Sequence, residues 1–377
     1  MATKFDSPLV KAVKVGNGLV RKSIRQAFPN QFYGEAPLRL EIDQQNLVSN
    51  WTYLKSLCPT AQGGAAVKAN AYGIGARRVV KALRQAGCRD FFVTYTSEAN
   101  DIKDLADPSE IALLHGPLTP ADAAWAKRTG VRPVINSVRQ AQLWLSVGGG
   151  RCDVMVDTGI NRLGFSMHDL GHECLRRLDI DVLHSHLASA DQDSPLNALQ
   201  LKSWEEAKRA VPWHDRAALA NSAGITLGIA YHGELVRPGL AIYGGIPCPA
   251  LEGGIRQVVR PQAAVMQVRR INPEEGIGYN STFIAKKPMR IGIIALGYAD
   301  GYLRCWSGSG RFEWNGIELP VLGRVSMDMT VIDLSAAPGC GEGDWVTAAY
   351  ELPTASAETD LSQYELLTLL GHRFARP

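Results

Sequence analysis

A lone lysine at the end of an apolar run is the residue of this sequence best suited to nucleophilic chemistry. Residues 64–67 are small and apolar, Lys68 follows them directly, and the glycine-rich turn beyond it carries Tyr72. Burial favours the neutral form of an amine, which is the form that attacks a carbonyl group. A strand-end lysine that extends its ammonium group into water is the plain alternative. These residues alone do not separate the two interpretations.

Polar clusters follow several later apolar runs in the same way. They occupy residues 156–164, 184–191, 220–224 and 236–240. Stretches of helical periodicity separate the runs, and eight strand-like runs can be counted from residue 64 onward, the last of them over residues 236–243. Strands that alternate with helices predict parallel pairing, so we expect a (β/α)8 barrel of the TIM type, with an open doubly wound sheet as the alternative. In such a barrel the loops after the strands meet at one face, where the polar clusters would form one site.

The remainder of the chain has a different pattern. From about residue 257, short β-rich runs separated by glycine and proline replace the helical stretches, and a last helix is expected near residues 360–370. An alternating strand at residues 38–42 begins the barrel segment. The predicted domains are an N-terminal extension over residues 1–36, a (β/α)8 barrel with the candidate site over residues 37–256 and a mostly-β C-terminal domain over residues 257–377.

Composition narrows the class of protein. The 377 residues carry a net charge of +3, which is too small to favour binding to nucleic acid or to a membrane surface. Seven cysteines are scattered without a C-x-x-C pair, so we expect neither a metal site nor a disulfide framework. No apolar segment is long enough for a secretory signal or a membrane span. We therefore expect a cytoplasmic protein.

Six motifs together resemble those of one enzyme family. In chain order they are VKANAYGIG, DTGINRLG, RPGLAIYGG, GYNSTF, LGYADGY and GRVSMD. The sequence is similar to the alanine racemase family over residues 38–376. The resemblance implies a barrel followed by a β-domain, with pyridoxal 5'-phosphate as cofactor. It also implies interconversion of L- and D-alanine, and through it the supply of D-alanine for peptidoglycan.

The catalytic residues that the resemblance implies are Lys68 and Tyr279. Lys68 would hold the cofactor as a Schiff base and act as one base, and Tyr279 of a partner subunit would act as the other. Racemisation needs both, because one base removes the α-proton and the other returns a proton from the opposite face. A tyrosine hydroxyl ordinarily loses its proton only near pH 10, so such a base needs positive charge nearby. The active protein would be a homodimer with its sites at the interface.

Further positions match the family's cofactor- and substrate-binding residues. Arg237 would face the ring nitrogen of the cofactor, and because an arginine does not release its proton, that nitrogen would stay unprotonated. The other cofactor-binding residues implied are Lys68, Tyr72, Arg162, His186, Asn221, Ser222, Gly239 and Leu240. The substrate-binding residues implied are Arg162 and, from the partner side, Tyr298, Met327 and Asp328.

The sequence departs from the family pattern at two places. Met155 stands two residues before the DTG aspartate, where many members carry a carbamylated lysine. Arg162 would then need another partner, such as a chloride ion or the neighbouring amide of Asn161. Residues 373–377 also lack the terminal tyrosine that often lies near the phosphate. We therefore expect the phosphate to be held less tightly.

Three other functions stay open. A racemase of broader or shifted specificity, for serine or other small amino acids, would share the carboxylate-binding residues, since small steric differences are worth only ~1–3 kcal/mol. A fold-related pyridoxal-phosphate decarboxylase is disfavoured, because the GYNSTF motif supplies the second base that racemisation needs. A non-catalytic pyridoxal-phosphate carrier is the alternative from a different class, although the small carriers of this fold lack a β-domain.

Overall fold

Strands and helices alternate through the first part of the computed structural model, which describes residues 36–377. The predicted N-terminal extension lies outside the described residues except for its last position. The elements of this part are β1 (Leu38–Ile42), α1 (Gln44–Ser56), β2 (Gln62–Gly63), β3 (Ala65–Ala66), α2 (Ala76–Gln85), β4 (Phe91–Val93), α3 (Thr96–Ile102), β5 (Ile111–Leu113), α4 (Pro120–Thr129), β6 (Arg132–Ile135), α5 (Val138–Ser146), β7 (Arg151–Met155), α6 (Glu173–Arg176), β8 (Asp179–His184), α7 (Pro195–Ala210), β9 (His214–Ala218) and β10 (Leu235–Val236).

Seven of these strands form one parallel sheet in chain order, from β3 to β9. The short strand β10 closes the sheet into a barrel, because it pairs in parallel with β2 on one side. On the other side the N–H group of Arg237 donates to the carbonyl of Ala220 at 2.9 Å. Strands β4, β5 and β6 are buried along their whole length, as expected for parallel strands covered on both faces. The predicted TIM-type barrel is confirmed.

Antiparallel strands dominate the rest of the chain. The elements are β11 (Val259–Ile271), β12 (Gly276–Ile277), β13 (Phe283–Ile284), β14 (Met289–Ile294), β15 (Arg311–Trp314), β16 (Ile317–Leu322), β17 (Thr330–Asp333), β18 (Trp345–Ala348), α8 (Leu352–Thr359) and α9 (Gln363–Thr368). The large sheet has the order β1-β11-β14-β17-β16-β15-β18, and β18 pairs back with β11. The mostly-β C-terminal part that the sequence predicts is thus present.

Strand β1 belongs to this second sheet rather than to the barrel. It pairs antiparallel with β11, with Leu40 opposite Pro261. Leu38 and Leu40 are buried while Glu41 is exposed. Such alternation is typical of an antiparallel strand with one solvent-exposed face, whereas the barrel strands are apolar on both faces. The strand itself was predictable, and its partner was not.

Two other predicted elements differ from the structure. A strand expected over residues 236–243 ends at Val236 and continues as a 3-10 turn over Leu240–Tyr243, because Pro238 has no N–H group to continue a ladder. The helix expected over residues 360–370 is the shorter α9, Gln363–Thr368, and an additional helix, α8, precedes it across Asp360, which is left-handed. Among the described residues, no helix combines the length and apolar character needed to cross a membrane.

An ion-pair cluster fills the end of the barrel where the strands begin. Arg132 donates to Asp90 at 2.9 Å and to Asp181. Arg216 donates to the same two carboxylates at 2.9 Å, and Asp153 lies 3.6 Å from the Arg132 Nε atom. Burial alone would raise the pKa values of Asp90 and Asp181, but the two arginines hold both below the usual range. We call these five residues the barrel-floor cluster.

Candidate active site

A cavity of about 1010 Å³ opens where the barrel strands end. Most of its wall consists of residues at or just after the ends of the strands, and helices α8 and α9 add further side chains. The lysine and the four polar clusters of the sequence therefore meet at one face of the barrel. The nine residues predicted to bind the cofactor all line the cavity, namely Lys68, Tyr72, Arg162, His186, Asn221, Ser222, Arg237, Gly239 and Leu240.

The turn that carries Lys68 and Tyr72 is left-handed. Four consecutive residues from Ala69 to Tyr72 have φ between 52° and 55°. For residues other than glycine this conformation costs about 1–2 kcal/mol each, so it persists only where the surrounding structure fixes it. In return, the turn directs both the lysine and the tyrosine into the same cavity. We call residues 68–75 the lysine turn.

Side chains of neighbouring elements hold the lysine turn. Glu98, on helix α3, accepts the N–H groups of Ala69 at 2.7 Å and Thr94 at 2.6 Å. The side chain of Asn70 accepts the first N–H group of helix α2, from Ala76, at 2.8 Å. The turn is therefore tied both to the end of the next strand and to the helix that follows it.

The surroundings of Lys68 favour a neutral amine. Burial lowers the pKa of its amine, and the positive charge of Arg162 lowers it further. Glu98 acts in the opposite direction, and Arg237 adds a smaller lowering effect. A desolvated lysine beside cationic groups is a more effective nucleophile toward a carbonyl than a lysine in water.

Hydroxyl and backbone N–H groups gather at one end of the cavity. The Ser222 hydroxyl accepts the N–H groups of Gly239 at 2.9 Å and Ala241 at 3.2 Å. A Cβ atom on Gly239 would lie 2.4 Å from the Tyr72 hydroxyl oxygen, so only glycine lets the chain pass this close. Burial raises the pKa of Tyr72, which keeps its hydroxyl protonated and able to donate. The hydroxyls of Tyr72 and Ser222 are donors that suit an anion at this end of the cavity, and we call Tyr72, Ser222 and Gly239 the anion cradle.

Arg237 is held rigidly in the barrel interior. Its guanidinium donates to the carbonyls of Ser185 and Ala218 and lies 3.2 Å from His184 Nδ1. His184 Nε2 is 3.0 Å from Asp153, and because a carboxylate only accepts, Nε2 carries the proton and Nδ1 accepts from Arg237. Burial lowers the pKa of Arg237 to about 10, so it stays cationic near neutral pH. Burial also lowers the pKa of His184 to about 4 and keeps it neutral.

His186 adds an uncharged ring to the cavity wall. Burial lowers its pKa to about 3, and the charges of Arg237, Arg162 and Lys68 act in the same direction. Near neutral pH the imidazole is therefore neutral. A neutral aromatic ring is a suitable surface for a planar ligand to pack against.

Comparison with known proteins decides the family. Residues 42–247 match the alanine racemase N-terminal domain, and residues 258–377 match the alanine racemase C-terminal domain. The chain belongs to the alanine racemase family. A catabolic alanine racemase of Agrobacterium fabrum is 37% identical over 366 residues, which cover 92% of this chain and 93% of that protein. An alanine racemase of Brucella abortus is 35% identical over 369 residues, 89% of this chain and 92% of the relative.

Solved alanine racemases share the whole fold. The enzyme of Bartonella henselae, crystallised with covalently bound pyridoxal phosphate, is 32% identical and superposes with a TM-score of 0.83. The match covers 90% of this chain and 99% of that chain. The biosynthetic alanine racemase of Pseudomonas aeruginosa is also 32% identical, with a TM-score of 0.81 over 90% of this chain and 99% of its own.

In this member of the alanine racemase family, the cavity that Arg162 lines also has an apolar side chain in its wall. Met155 is buried and lines that cavity. The backbone N–H of Arg162 donates to Asp157 at 2.7 Å, but within residues 36–377 its guanidinium has no hydrogen-bond or ion-pair partner. The expected contact with Asn161 is therefore not formed. The guanidinium is available to a ligand carboxylate, which it can bind with two parallel hydrogen bonds.

Four residues that the sequence predicts for the site do not line this cavity within residues 36–377. Tyr279 is 64% exposed and Met327 is 53% exposed. Tyr298 packs against the guanidinium of Arg304 at 5.3 Å, and Asp328 accepts a hydrogen bond from Arg373 at 2.8 Å. All four lie in the C-terminal part of the alanine racemase chain, and one copy does not place them beside Lys68.

Sequence reasoning missed Tyr364. This residue of helix α9 lines the cavity, and its ring centre lies 6.1 Å from that of Tyr72. Burial raises the pKa of its hydroxyl, and Asp191 adds to the effect, so the hydroxyl remains a donor. Residues 373–377 do lack a tyrosine, as the sequence shows, but α9 brings Tyr364 to this end of the site from an earlier position in the chain.

Proposed function

We propose that this protein is a pyridoxal-phosphate-dependent racemase that interconverts L- and D-alanine. The observation that carries the proposal is a single cavity that is lined both by a desolvated lysine and by the anion cradle. Pyridoxal phosphate has an aldehyde for Lys68 and a phosphate for the groups around Ser222 and Gly239. The residues present therefore fit this cofactor. The bound cofactor of the Bartonella henselae relative supports the same choice.

The bound cofactor would supply a conjugated ring that accepts electron density when the Cα–H bond of the substrate breaks. Arg237 would face its ring nitrogen. The guanidinium is fixed by two carbonyls and by His184 and is cationic near neutral pH. A fixed cation at that position keeps the nitrogen unprotonated, which limits how far charge spreads into the ring. Return of the proton to Cα is then favoured over its delivery elsewhere.

Lys68 and Tyr279 would be the two bases. Lys68 reaches one face of the substrate from within its own barrel. Tyr279 is exposed and outside that cavity, so it is free to enter the site of a second copy from the other face. The cationic side chains of Arg162 and Arg237 favour an anionic base beside them, which is the form of a tyrosine that can accept a proton. A homodimer with two interfacial sites follows from this division of roles.

The substrate carboxylate would bind Arg162, whose guanidinium has no partner among the described residues. Tyr298, Met327 and Asp328 of the partner would complete the rim. Ala299 donates to the Met327 carbonyl at 3.0 Å, which holds the segments of Tyr298 and Met327 side by side. This arrangement limits the space around the substrate side chain, and it supports alanine or another small amino acid.

The proposal is tested with Tyr279→Phe. We expect the wild type to racemise L-alanine, and the variant to keep its visible cofactor absorbance while losing most of the activity, because only the second base is removed. Tyr53→Phe, on helix α1, is the matched control and should retain activity. Wild-type protein that binds cofactor but leaves L-alanine optically unchanged would establish a carrier instead.

A racemase of shifted specificity is the second candidate, and Met155 is the observation that favours it. Met155 lines the same cavity as Arg162 and offers no charge to pair with its guanidinium, so the guanidinium would be free to follow the carboxylate of a larger substrate. Chiral analysis of a panel that includes serine decides between the two. Turnover of L-serine at a kcat/KM equal to or above that of L-alanine would support the second candidate.

We also propose a cytoplasmic location and a role in supplying D-alanine for peptidoglycan. All seven cysteines are free, which suits a reducing compartment. The relatives include both catabolic and biosynthetic enzymes, so the direction of use needs a test. A bacterial strain that requires D-alanine should grow without it when it expresses the wild type, but not when it expresses Lys68→Ala.

We also propose residues 37–256 and 257–377 as the two domains, with strand β1 of the first contributing to the sheet of the second. The family matches end at residue 247 and resume at residue 258, which supports this division.

A further inference from the structure

The chain near residue 376 contacts the lysine turn directly. Arg376 donates to the carbonyl of Gly73 twice, through Nε at 3.0 Å and Nη2 at 2.7 Å. Gly73 is the residue that follows Tyr72 and closes the left-handed turn, with its N–H donating to Ala69 at 2.9 Å. A single guanidinium therefore holds the last carbonyl of the segment that carries both Lys68 and Tyr72.

Arg376 is itself fixed on several sides. Its guanidinium also donates to the carbonyls of Leu370, Gly371 and Phe374. Its own carbonyl accepts from Arg78 of helix α2 at 2.8 Å. No carboxylate pairs with Arg376 among the described residues. Burial lowers its pKa, and Arg78 adds to the effect, so the contacts with carbonyls are what keep this cation in place.

Helix α9 leaves no room for the turn to move toward it. A Cβ atom on Gly73 would lie 2.6 Å from the Leu367 carbonyl oxygen. The lysine turn is thus confined by α9 on one side and by Arg376 at its end, in addition to the contacts with Glu98 and Asn70. Four consecutive residues in a costly conformation need such confinement.

We propose that Arg376 is a positioning residue that keeps the lysine turn left-handed, so that Lys68 and Tyr72 stay aligned with opposite ends of one ligand. The identity of that ligand rests on the proposed function. The contact between Arg376 and Gly73 is independent of the proposed function. The fork of Arg376 contributes in addition to its charge, because two of its N–H groups converge on one carbonyl.

The test compares Arg376→Ala and Arg376→Lys with Arg77→Ala in the full-length protein. Arg77 is an exposed arginine of α2 that pairs with Asp104 and does not touch Gly73, so its variant is the matched control. Hydrogen–deuterium exchange is followed in peptides covering residues 67–75 and 38–42, with and without added pyridoxal phosphate. Retention of pyridoxal phosphate is measured separately from the visible absorbance after dialysis.

Arg376→Ala should exchange about tenfold faster over residues 67–75, because two charge-assisted hydrogen bonds are lost and the turn opens more often. Its dissociation constant for pyridoxal phosphate should rise by a similar factor of about ten, since lysine and tyrosine are no longer held together. Arg376→Lys should fall between Arg376→Ala and the wild type. The control should match the wild type in both measurements.

Unchanged exchange over residues 67–75 in Arg376→Ala would overturn the proposal, as would faster exchange with undiminished cofactor retention. An equal rise over residues 38–42, where Leu40 and Ala375 are hydrogen-bonded, would show general loosening and would also contradict it. Wild-type protein that takes up no pyridoxal phosphate would instead contradict the proposed function. The exchange comparison without cofactor would then still decide the role of Arg376.

Discussion

At Gly239 the backbone passes so close to the Tyr72 hydroxyl that a single added carbon has a large effect. In Gly239→Ala the new Cβ would meet that oxygen at 2.4 Å and the Ala66 Cβ at 3.3 Å, so the tyrosine must move out of the anion cradle. We expect the affinity for pyridoxal phosphate to fall by about tenfold or more, since one donor and the close backbone approach are lost. Equilibrium dialysis with absorbance detection measures this affinity.

Gly171→Ala is the control for that variant. Gly171 has no neighbour within 4 Å of an added Cβ and lies outside the cavity lining. Its affinity for the cofactor should be unchanged. If Gly239→Ala binds the cofactor as tightly as this control does, the assignment of the cradle to the phosphate is wrong.

Some residues of the candidate site could be predicted from the sequence, and others could not. Lys68 and Arg237 were predictable because each sits in a motif directly after a strand, and barrel geometry brings strand ends together. Tyr364 was not, because its helix is far along the chain and only the completed fold lays it beside Tyr72. Likewise, the sequence does not reveal that the guanidinium of Arg162 lacks a hydrogen-bond or ion-pair partner among the described residues.

At the scale of elements, the interior of the barrel makes stability depend on pH. The pKa of His184 is lowered by burial to about 4, whereas an unfolded histidine titrates near 6.5. Above pH 6.5 neither state is protonated. As pH falls from 6.5 toward 4, the unfolded chain takes up a proton that the folded chain does not, so the free energy of unfolding should fall by about 3 kcal/mol.

Thermal unfolding between pH 7.5 and 4.5 measures this effect. The melting temperature should fall steadily below pH 6.5, and His184→Gln, which cannot titrate, should reduce the slope. Asp90 and Asp181 of the barrel-floor cluster extend the loss to lower pH, because their lowered pKa values mean that protonation breaks their pairs with Arg132 and Arg216. A wild-type melting temperature that is flat down to pH 4.5 would contradict the burial of neutral His184.

The positions of helices and strands were easier to predict from the sequence than the pairing of the strands. The boundaries of α4 and β6 follow from a capped start and a short apolar run, which are local signals. The placement of β1 in the second sheet depends on β11, more than 200 positions away, as the Arg39–Gln262 separation of 223 shows. Local patterns carry no information about such pairings.

At the scale of the whole molecule, the two proposed bases belong to different chains. Lys68→Ala and Tyr279→Phe should each be nearly inactive as homodimers. A heterodimer of the two would contain one site with both bases intact and one with neither. Random association of equal amounts gives heterodimers in about half of the dimers, so the mixture should recover about one quarter of wild-type activity.

Coexpression of the two variants with different tags allows the heterodimer to be purified and assayed directly. A mixture of two Lys68 variants serves as the control and should stay inactive. If coexpressed Lys68→Ala and Tyr279→Phe show no recovery although heterodimers are isolated, Tyr279 does not act across the interface.

The contact between Arg376 and Gly73 joins positions 303 residues apart, and this has a consequence for how the protein folds. The lysine turn is synthesised long before the arginine that confines it, and closing so long a loop costs entropy that only the finished contacts repay. Until then, β1 has no partner from β11 and the cavity lacks its wall from α9. Folding should therefore produce helices and barrel strands first and the capacity to hold a ligand last. During refolding, recovery of activity should lag behind recovery of secondary structure.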